Sequence, residues 1–213
     1  MKFYKLLILL VLSPLLLIHT HVSHAEPDID SLWDSDDLNV LSPEYVEIVQ
    51  LRRRPYIRAY WKEFPSLRVC ADSGVKLQRM QTAVHMWRRL GYSLGSIYWD
   101  DGSAICTKGG INGEIIILLV TNNTPIGNNI AITRTYYDKE SRVIQKAQIF
   151  VLGGYSNDSR ILEHEIGHAL GWGHFNRSLH IMNSHYPDTG HDIFGVRYTD
   201  YEKNIKKFSS ELD

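Results

Sequence analysis

HEIGHALGWGH, residues 164–174, places histidines at positions 164, 168 and 174 and a glutamate directly after the first of them. The run ILEHEIGHAL is predicted to be helical, so His164 and His168 project from one face, one turn apart. If the helix continued to His174, that side chain would lie roughly 15 Å along the axis from His164, too far away to share a ligand. The helix must therefore end and the chain must turn back. Gly171 permits this turn because glycine adopts positive φ without a Cβ clash.

Three imidazoles brought together in this way predict a catalytic zinc site. Each imidazole can bind zinc at about 2.0–2.1 Å, and three protein ligands leave the fourth position open for water. Zinc lowers the pKa of its water from about 15.7 toward about 7, and Glu165 can take the proton as the water attacks a carbonyl. We therefore predict one zinc ion per chain, with Glu165 as general base in peptide-bond hydrolysis. The alternative is a histidine-rich helix end that binds no metal.

These residues resemble the signature of the metzincin zinc peptidases. His164-Glu165-x-x-His168-x-x-Gly171-x-x-His174 matches the signature, and Met182 in SLHIMNSHY is similar to the family's Met-turn. The layout of residues 128–151 and of residues 185–205 is similar to that of matrixins. The resemblance covers roughly residues 65 to 210.

The resemblance implies roles for individual residues. His164, His168 and His174 would be the zinc ligands, with Met182 as a hydrophobic floor below the metal. Some metzincins have a tyrosine two residues after this methionine, where the present chain has Ser184. Tyr186 could contact the substrate or the transition state instead, or pack below the substrate pocket. The cysteine motif of the matrixin prodomain is absent.

Hydrophobic patterns predict an α/β or α+β fold, in which a sheet is layered with helices. The predicted strands are 67–71, 96–100, 114–120, 130–137 and 145–152. The predicted helices are Val75 to Leu90, the helix of the histidines, capped by Asn157 or Ser159, and residues 198–212, capped by Thr199. The resemblance implies a twisted mixed sheet with 130–137 as its edge strand, two helices, and a small irregular C-terminal subdomain that ends in a helix. The catalytic domain is predicted at 61–213, with its upper subdomain ending near 174 and its lower subdomain at 175–213.

The N-terminus predicts export. Residues 1–25 have two lysines, an apolar run shorter than the ~20 residues of a membrane anchor, and small residues before the cleavage site. We expect a secreted or periplasmic protein with no membrane contact after signal cleavage. Residues 26–60 are predicted to be an N-terminal arm that is retained, or alternatively a short pro-segment. In a pro-segment, an aspartate at 34, 36 or 37 could block the zinc.

Charge and cysteine content narrow the function further. Loss of Lys2 and Lys5 with the signal takes the formal charge from −1 to −3, which excludes an electrostatic preference for nucleic acid. Cys70 and Cys106 predict one disulfide in an oxidising compartment, with two free thiols as the alternative.

We expect a monomer that acts on protein or peptide substrates. The alternative function is a zinc-binding toxin or interaction module with little hydrolytic activity. A second zinc at His180, His185 and His191 is a further alternative, although their spacing matches no closed tetrahedral pattern.

Overall fold

The computed structural model describes residues 54–211, with side chains up to Phe208. The signal sequence, most of the predicted arm and its three aspartates lie outside the described residues. None of the helices in the described part is long and apolar enough to cross a membrane.

The described chain forms a mixed α/β fold around one five-stranded sheet, as predicted. The strands are β1 (Ser66–Cys70), β2 (Ile97–Asp100), β3 (Glu114–Leu119), β4 (Ala131–Tyr137) and β5 (Ile144–Val151). Their order in the sheet is β2-β1-β3-β5-β4. The neighbours β2, β1, β3 and β5 run parallel, whereas β4 runs antiparallel to β5 and forms an edge.

The position of each strand follows from its sequence. β3 has an almost continuous apolar run and lies in the middle of the sheet, where both faces of a parallel strand are covered. β4 carries three successive polar residues, Thr133 to Thr135, and pairs only with β5 in the described sheet, which confirms the predicted edge strand.

Four α-helices accompany the sheet in the described part of the chain: α1 (Leu77–Arg89), α2 (Ala104–Thr107), α3 (Ile161–Ala169) and α4 (Tyr198–Glu211). Helices α1 and α3 pack against each other, and α3 contacts β4 and β5. One apolar core joins the sheet to these helices; among its members are Leu67, Ile115, Ile117, Ile149, Met80, Trp87, Leu162 and Ile166. This core fixes α3, the helix of the first two histidines, beside the edge strand.

The opposite face of the sheet is covered by the segment that follows β2. Gln148 Nε2 donates to the carbonyl of Gly109 at 2.8 Å, and Gly110 packs against Ile116. The predicted disulfide between Cys70 and Cys106 is present and ties this segment to β1. Cys106 lies in helix α2, between the predicted strands 96–100 and 114–120, where no helix was predicted because four residues are too few to show helical periodicity.

Two predicted helix caps are wrong. The residue before α3 is Arg160, with φ of 73°, and no side chain caps this helix. Asn157 instead accepts from the backbone N–H of Lys76, at the start of α1, and donates to the carbonyl of Gly74. Thr199 is the second residue of α4 rather than its cap. At Asn157 a long-range contact takes precedence over the local capping preference.

Residues 57–61, which we call the N-terminal segment, pack into the core before β1 begins. Ile57 forms an antiparallel bridge with Trp172, and Tyr60 forms a parallel bridge with Val143. Trp61 Nε1 donates to the carbonyl of Ala169, the last residue of α3, at 2.7 Å. This N-terminal segment therefore holds the end of the helix and the turn that follows it.

Candidate metal centre

The three histidines of residues 164–174 converge on one point. His168 Nε2 lies 3.0 Å from His164 Nε2 and 3.1 Å from His174 Nε2. Within the described part of the chain, these three side chains form the one group of three or more that could hold a metal ion. The structure therefore brings together the three residues predicted from the spacing.

Backbone carbonyls determine which ring nitrogens face the centre. His164 Nδ1 lies 2.7 Å from the carbonyl of Ile181, and His168 Nδ1 lies 2.8 Å from the carbonyl of Trp172. A carbonyl only accepts hydrogen bonds, so each Nδ1 donates and each Nε2 of a neutral ring carries a lone pair. Two lone pairs that face each other at 3.0 Å repel, and a cation between them removes the repulsion.

The geometry fits zinc. A tetrahedral zinc ion with Zn–N bonds of about 2.0–2.1 Å holds its nitrogen ligands about 3.3 Å apart. The two measured separations are 3.0 and 3.1 Å, within a few tenths of this value. Carbonyls that orient ligand histidines through their other nitrogen are a usual feature of metal sites. The donor set present in the chain therefore fits the ion that it implies.

Burial keeps the histidines neutral. It lowers the pKa of His164 to about 4 and places the pKa of His168 well below its ordinary value. The pKa of the exposed His174 is also lowered, by partial desolvation of the ring and then by the positive charge of Arg58. Neutral imidazoles are the form that binds metal.

The turn between the second and third histidines depends on glycine. Helix α3 ends at Ala169, and Gly171 then adopts φ of +105°. A Cβ at this position would collide with the carbonyl oxygen of Ala59, which lies in the N-terminal segment. Gly171 therefore supplies both the positive φ that the sequence predicted and a close approach that it did not reveal.

Glu165 lies on α3 directly after the first histidine, and its side chain is buried. Thr133 Oγ1, on the edge strand β4, donates to Glu165 Oε2 at 2.6 Å. Burial raises the pKa of Glu165 to about 7, and the hydrogen bond from Thr133 opposes this shift. A cation held by the neighbouring histidines would also favour the charged carboxylate.

Met182 is fully buried below α3. Its thioether occupies the space beside Gly167, where a Cβ would collide with the sulfur. His180, also fully buried, accepts from the backbone N–H of Met182 at 3.0 Å and faces the carbonyl of Phe194. Ile181, between these two residues, provides the carbonyl for His164. The segment 180–182 therefore supports the first histidine from below.

Tyr186 lines the same cleft, near the start of α3. Its hydroxyl donates to the carbonyl of Ser159 at 3.3 Å, and Arg160 lies over its ring at 5.6 Å. Ser184, at the position where some metzincins have tyrosine, bonds Asn176 through its hydroxyl at 2.8 Å. Tyr186 therefore forms part of the wall of the cleft, and its contact with a substrate stays a prediction.

The remaining histidines of the C-terminal part do not converge. Both ring nitrogens of His180 are used within the core, and His185 pairs with Asp188 at 3.0 Å. His191 belongs to no group of three potential ligands in the described residues. A second site made by His180, His185 and His191 is therefore not formed.

The histidines open into a cleft of about 600 Å³. One wall is the edge strand β4 with the loop that precedes it, and the other includes the turn Tyr186–Asp188. Arg58 and Thr133 are among the lining residues that the sequence did not indicate. Thr133 lies in the predicted edge strand, and its polar side chain was the available signal; Arg58 had no local signal.

Comparison with known proteins adds little to this geometry. No protein-family model matches the sequence, and no curated protein has a matching sequence. Among solved structures, metalloproteinase-II from Bacteroides fragilis is similar with a TM-score of 0.39 and 14% identity. The match covers 72% of this chain and 57% of that chain, so the present chain spans little more than half of that structure.

Proposed function

We propose that this chain is a secreted zinc-dependent endopeptidase of the metzincin type. The observation that carries the proposal is the convergence of three imidazole Nε2 atoms in the cleft that the Glu165 carboxyl also lines. Zinc binding alone would require only the histidines. A buried carboxyl directly beside them supports a hydrolytic function.

The edge strand supports a peptide as the substrate. β4 pairs with β5 on one side, and within the described residues its other side has no partner strand. An extended peptide can add to such an edge by backbone hydrogen bonds, in the antiparallel direction. This arrangement would place a peptide bond between Thr133 and the three histidines.

Each residue of the site has its own role in the proposed reaction. When bound, zinc supplies a Lewis acid that polarises the peptide carbonyl and acidifies water. His164, His168 and His174 hold the ion, while the Ile181 and Trp172 carbonyls fix the orientation of two of the rings. Glu165 accepts a proton from the water molecule while the water oxygen bonds to the carbonyl carbon of the peptide. Glu165 then gives that proton to the peptide nitrogen as the C–N bond breaks. No covalent bond to the protein is formed.

The disulfide supports export. Disulfides form and persist in oxidising compartments, and the bond between Cys70 and Cys106 is in keeping with a periplasmic or extracellular location.

The proposal is tested by metal analysis together with proteolysis of casein, each with and without a chelator. We expect about one zinc per chain, activity that is lost with the chelator, and recovery when zinc is added. Glu165→Ala should retain zinc and lower activity by roughly 10²–10⁴-fold, because a general base is removed. Near wild-type activity of this variant would refute the mechanism. Bound zinc without any peptidase activity in the wild type would favour the interaction-module alternative.

A further inference from the structure

Arg58 lies at one end of the cleft. Its backbone N–H donates to the carbonyl of Gly171 at 2.8 Å, which fixes it beside the turn between His168 and His174. Its guanidinium lines the cleft and donates to the hydroxyl of Tyr56 at 3.3 Å. Its sequence neighbours Ile57 and Ala59 are buried, whereas the Arg58 side chain is exposed.

The charge of Arg58 has no ion-pair partner among the side chains that the structure describes. None of the acidic residues from 54 to 208 forms an ion pair with it. Glu165 is the one carboxylate among the described residues that line the cleft, and no lysine lines it. A guanidinium has five donors, of which Tyr56 uses one, so most remain available to an incoming carboxylate.

The direction of β4 indicates which end of a bound peptide would lie near Arg58. β4 ends at Tyr137, and the turn that follows returns at Arg142, whose guanidinium donates to the carbonyl of Arg58 at 3.4 Å. Arg58 therefore lies toward the C-terminal end of β4. Tyr186 lies toward the other end, because it contacts Ser159 just before α3 begins. A peptide antiparallel to β4 would have its N-terminal part near Arg58 and its C-terminal part near Tyr186.

We propose that Arg58 selects peptide substrates that carry an aspartate or glutamate side chain on the N-terminal side of the scissile bond. This inference rests on the proposed peptidase function and specifies its substrate class. A carboxylate at that place would form charge-assisted hydrogen bonds with the guanidinium. The exposure of the Arg58 side chain limits the gain, so the expected preference is about 2- to 5-fold.

The test uses pairs of fluorogenic peptides with acetylated N-termini and amidated C-termini, so that side chains supply all carboxylates. The two peptides of a pair differ at one position, which is aspartate in one and asparagine in the other. Different pairs place this position at different sites before and after the cleaved bond. The zinc-loaded wild type should show a higher kcat/KM for aspartate at a position before the bond. Arg58→Gln should bring the aspartate-to-asparagine ratio close to one. Arg89→Gln, which removes an exposed arginine from α1, should leave the wild-type ratio unchanged.

A binding measurement separates this inference from the proposed function. In Glu165→Gln, which should not turn over, fluorescence anisotropy should show tighter binding of the aspartate peptide, and the difference should disappear in the double variant with Arg58→Gln. Equal ratios at every position, a preference only after the cleaved bond, or a preference that survives Arg58→Gln would each overturn the role of Arg58. If the wild type cleaves no peptide, the peptidase proposal fails, while the anisotropy result still decides whether Arg58 binds a carboxylate.

Discussion

The carboxyl of Glu165 is held by a residue 32 positions earlier in the chain. Thr133 Oγ1 donates to its Oε2 at 2.6 Å and also lies 3.1 Å from its backbone carbonyl. The hydroxyl thus connects the edge strand to the helix of the histidines at the point where the proposed proton transfer occurs. A general base must be positioned before its pKa matters.

Thr133→Val is expected to lower kcat by about tenfold, which corresponds to about 1.4 kcal/mol and the loss of one hydrogen bond to a charged group. KM should change little, because the valine keeps the shape of the strand and its pairing. Thr133→Ser keeps the hydroxyl and should restore most of the rate. Steady-state kinetics on one peptide would check this expectation, and an unchanged kcat in the valine variant would remove the positioning role.

Gly171→Ala is expected to destabilise the protein by about 2–4 kcal/mol, because an alanine is strained at this φ and its methyl group meets the Ala59 carbonyl. Gly154→Ala is the matched control, since its φ is not positive and nothing lies within 4 Å of its added Cβ. The free energy of unfolding in urea compares the two variants. Equal stabilities would show that the turn tolerates a side chain.

Part of the site was predictable from residues alone. His164 and His168 share a face because of helical spacing, and Gly171 gives the reversal that returns His174. These relations are local, so the sequence contains them. Thr133 and Arg58 were not predictable, because their place depends on strand register and on a bridge to Trp172 that no local pattern encodes.

At the level of elements, Asp100 joins the end of β2 to the covering segment of the sheet. It accepts from the hydroxyl and the backbone N–H of Ser103, from the N–H of Gly102, and from Arg68 at 3.1 Å. Ser103 in turn caps α2. The hydrogen bonds from Ser103, followed by those from Gly102 and Arg68, lower the pKa of Asp100 to about 2.

This shift predicts an acid-dependent contribution to stability. The folded pKa of about 2 lies below the ordinary value of 3.8, so the contribution is complete above about pH 4 and is lost as the pH falls toward 2. The difference in unfolding free energy between wild type and Asp100→Asn should therefore narrow over that range. Asp101→Asn, which makes the same substitution at an exposed neighbour, is the control. Urea unfolding at several pH values is the measurement, and a constant difference for Asp100→Asn would contradict the prediction.

The larger elements were predicted because their patterns are long or uniform. Helix α1 has apolar residues at helical spacing and ends before Gly91, and β3 is apolar after its first residue. The wrongly predicted helix cap of α3 lies where contacts between residues distant in sequence determine the structure. Arg160 enters α3 with positive φ while its guanidinium bonds the carbonyl of Thr189, and Asn157 serves a different helix. Neither partner is near in sequence.

At the level of the whole molecule, three separate parts of the chain meet at the histidines. The N-terminal segment fixes Gly171 through Arg58, and α3 presents His164 and His168 from the core. The C-terminal part supplies the Ile181 carbonyl behind His164. A ligand bound by the histidines would therefore add to the contacts that already hold these three parts together.

Zinc should therefore stabilise the folded protein. A ligand that binds only the folded state at 100 times its Kd adds about 2.7 kcal/mol to the free energy of unfolding. For a domain of this size, that gain corresponds to a rise in Tm of roughly 5–11 °C. Calorimetry of chelator-treated protein with and without added zinc would measure it, independently of any activity.

Two variants make the thermal measurement specific to the proposed ligands. His168→Ala removes the central imidazole, whose Nε2 faces both other rings, and should abolish most of the zinc-dependent rise in Tm. His85→Ala, at an exposed position on α1, removes a histidine without touching the cluster and should retain the full rise. Since zinc also binds unfolded histidines, the comparison must be made at equal free zinc. An equal rise in wild type and His168→Ala would mean that zinc stabilises the protein elsewhere and that the three histidines are not its site.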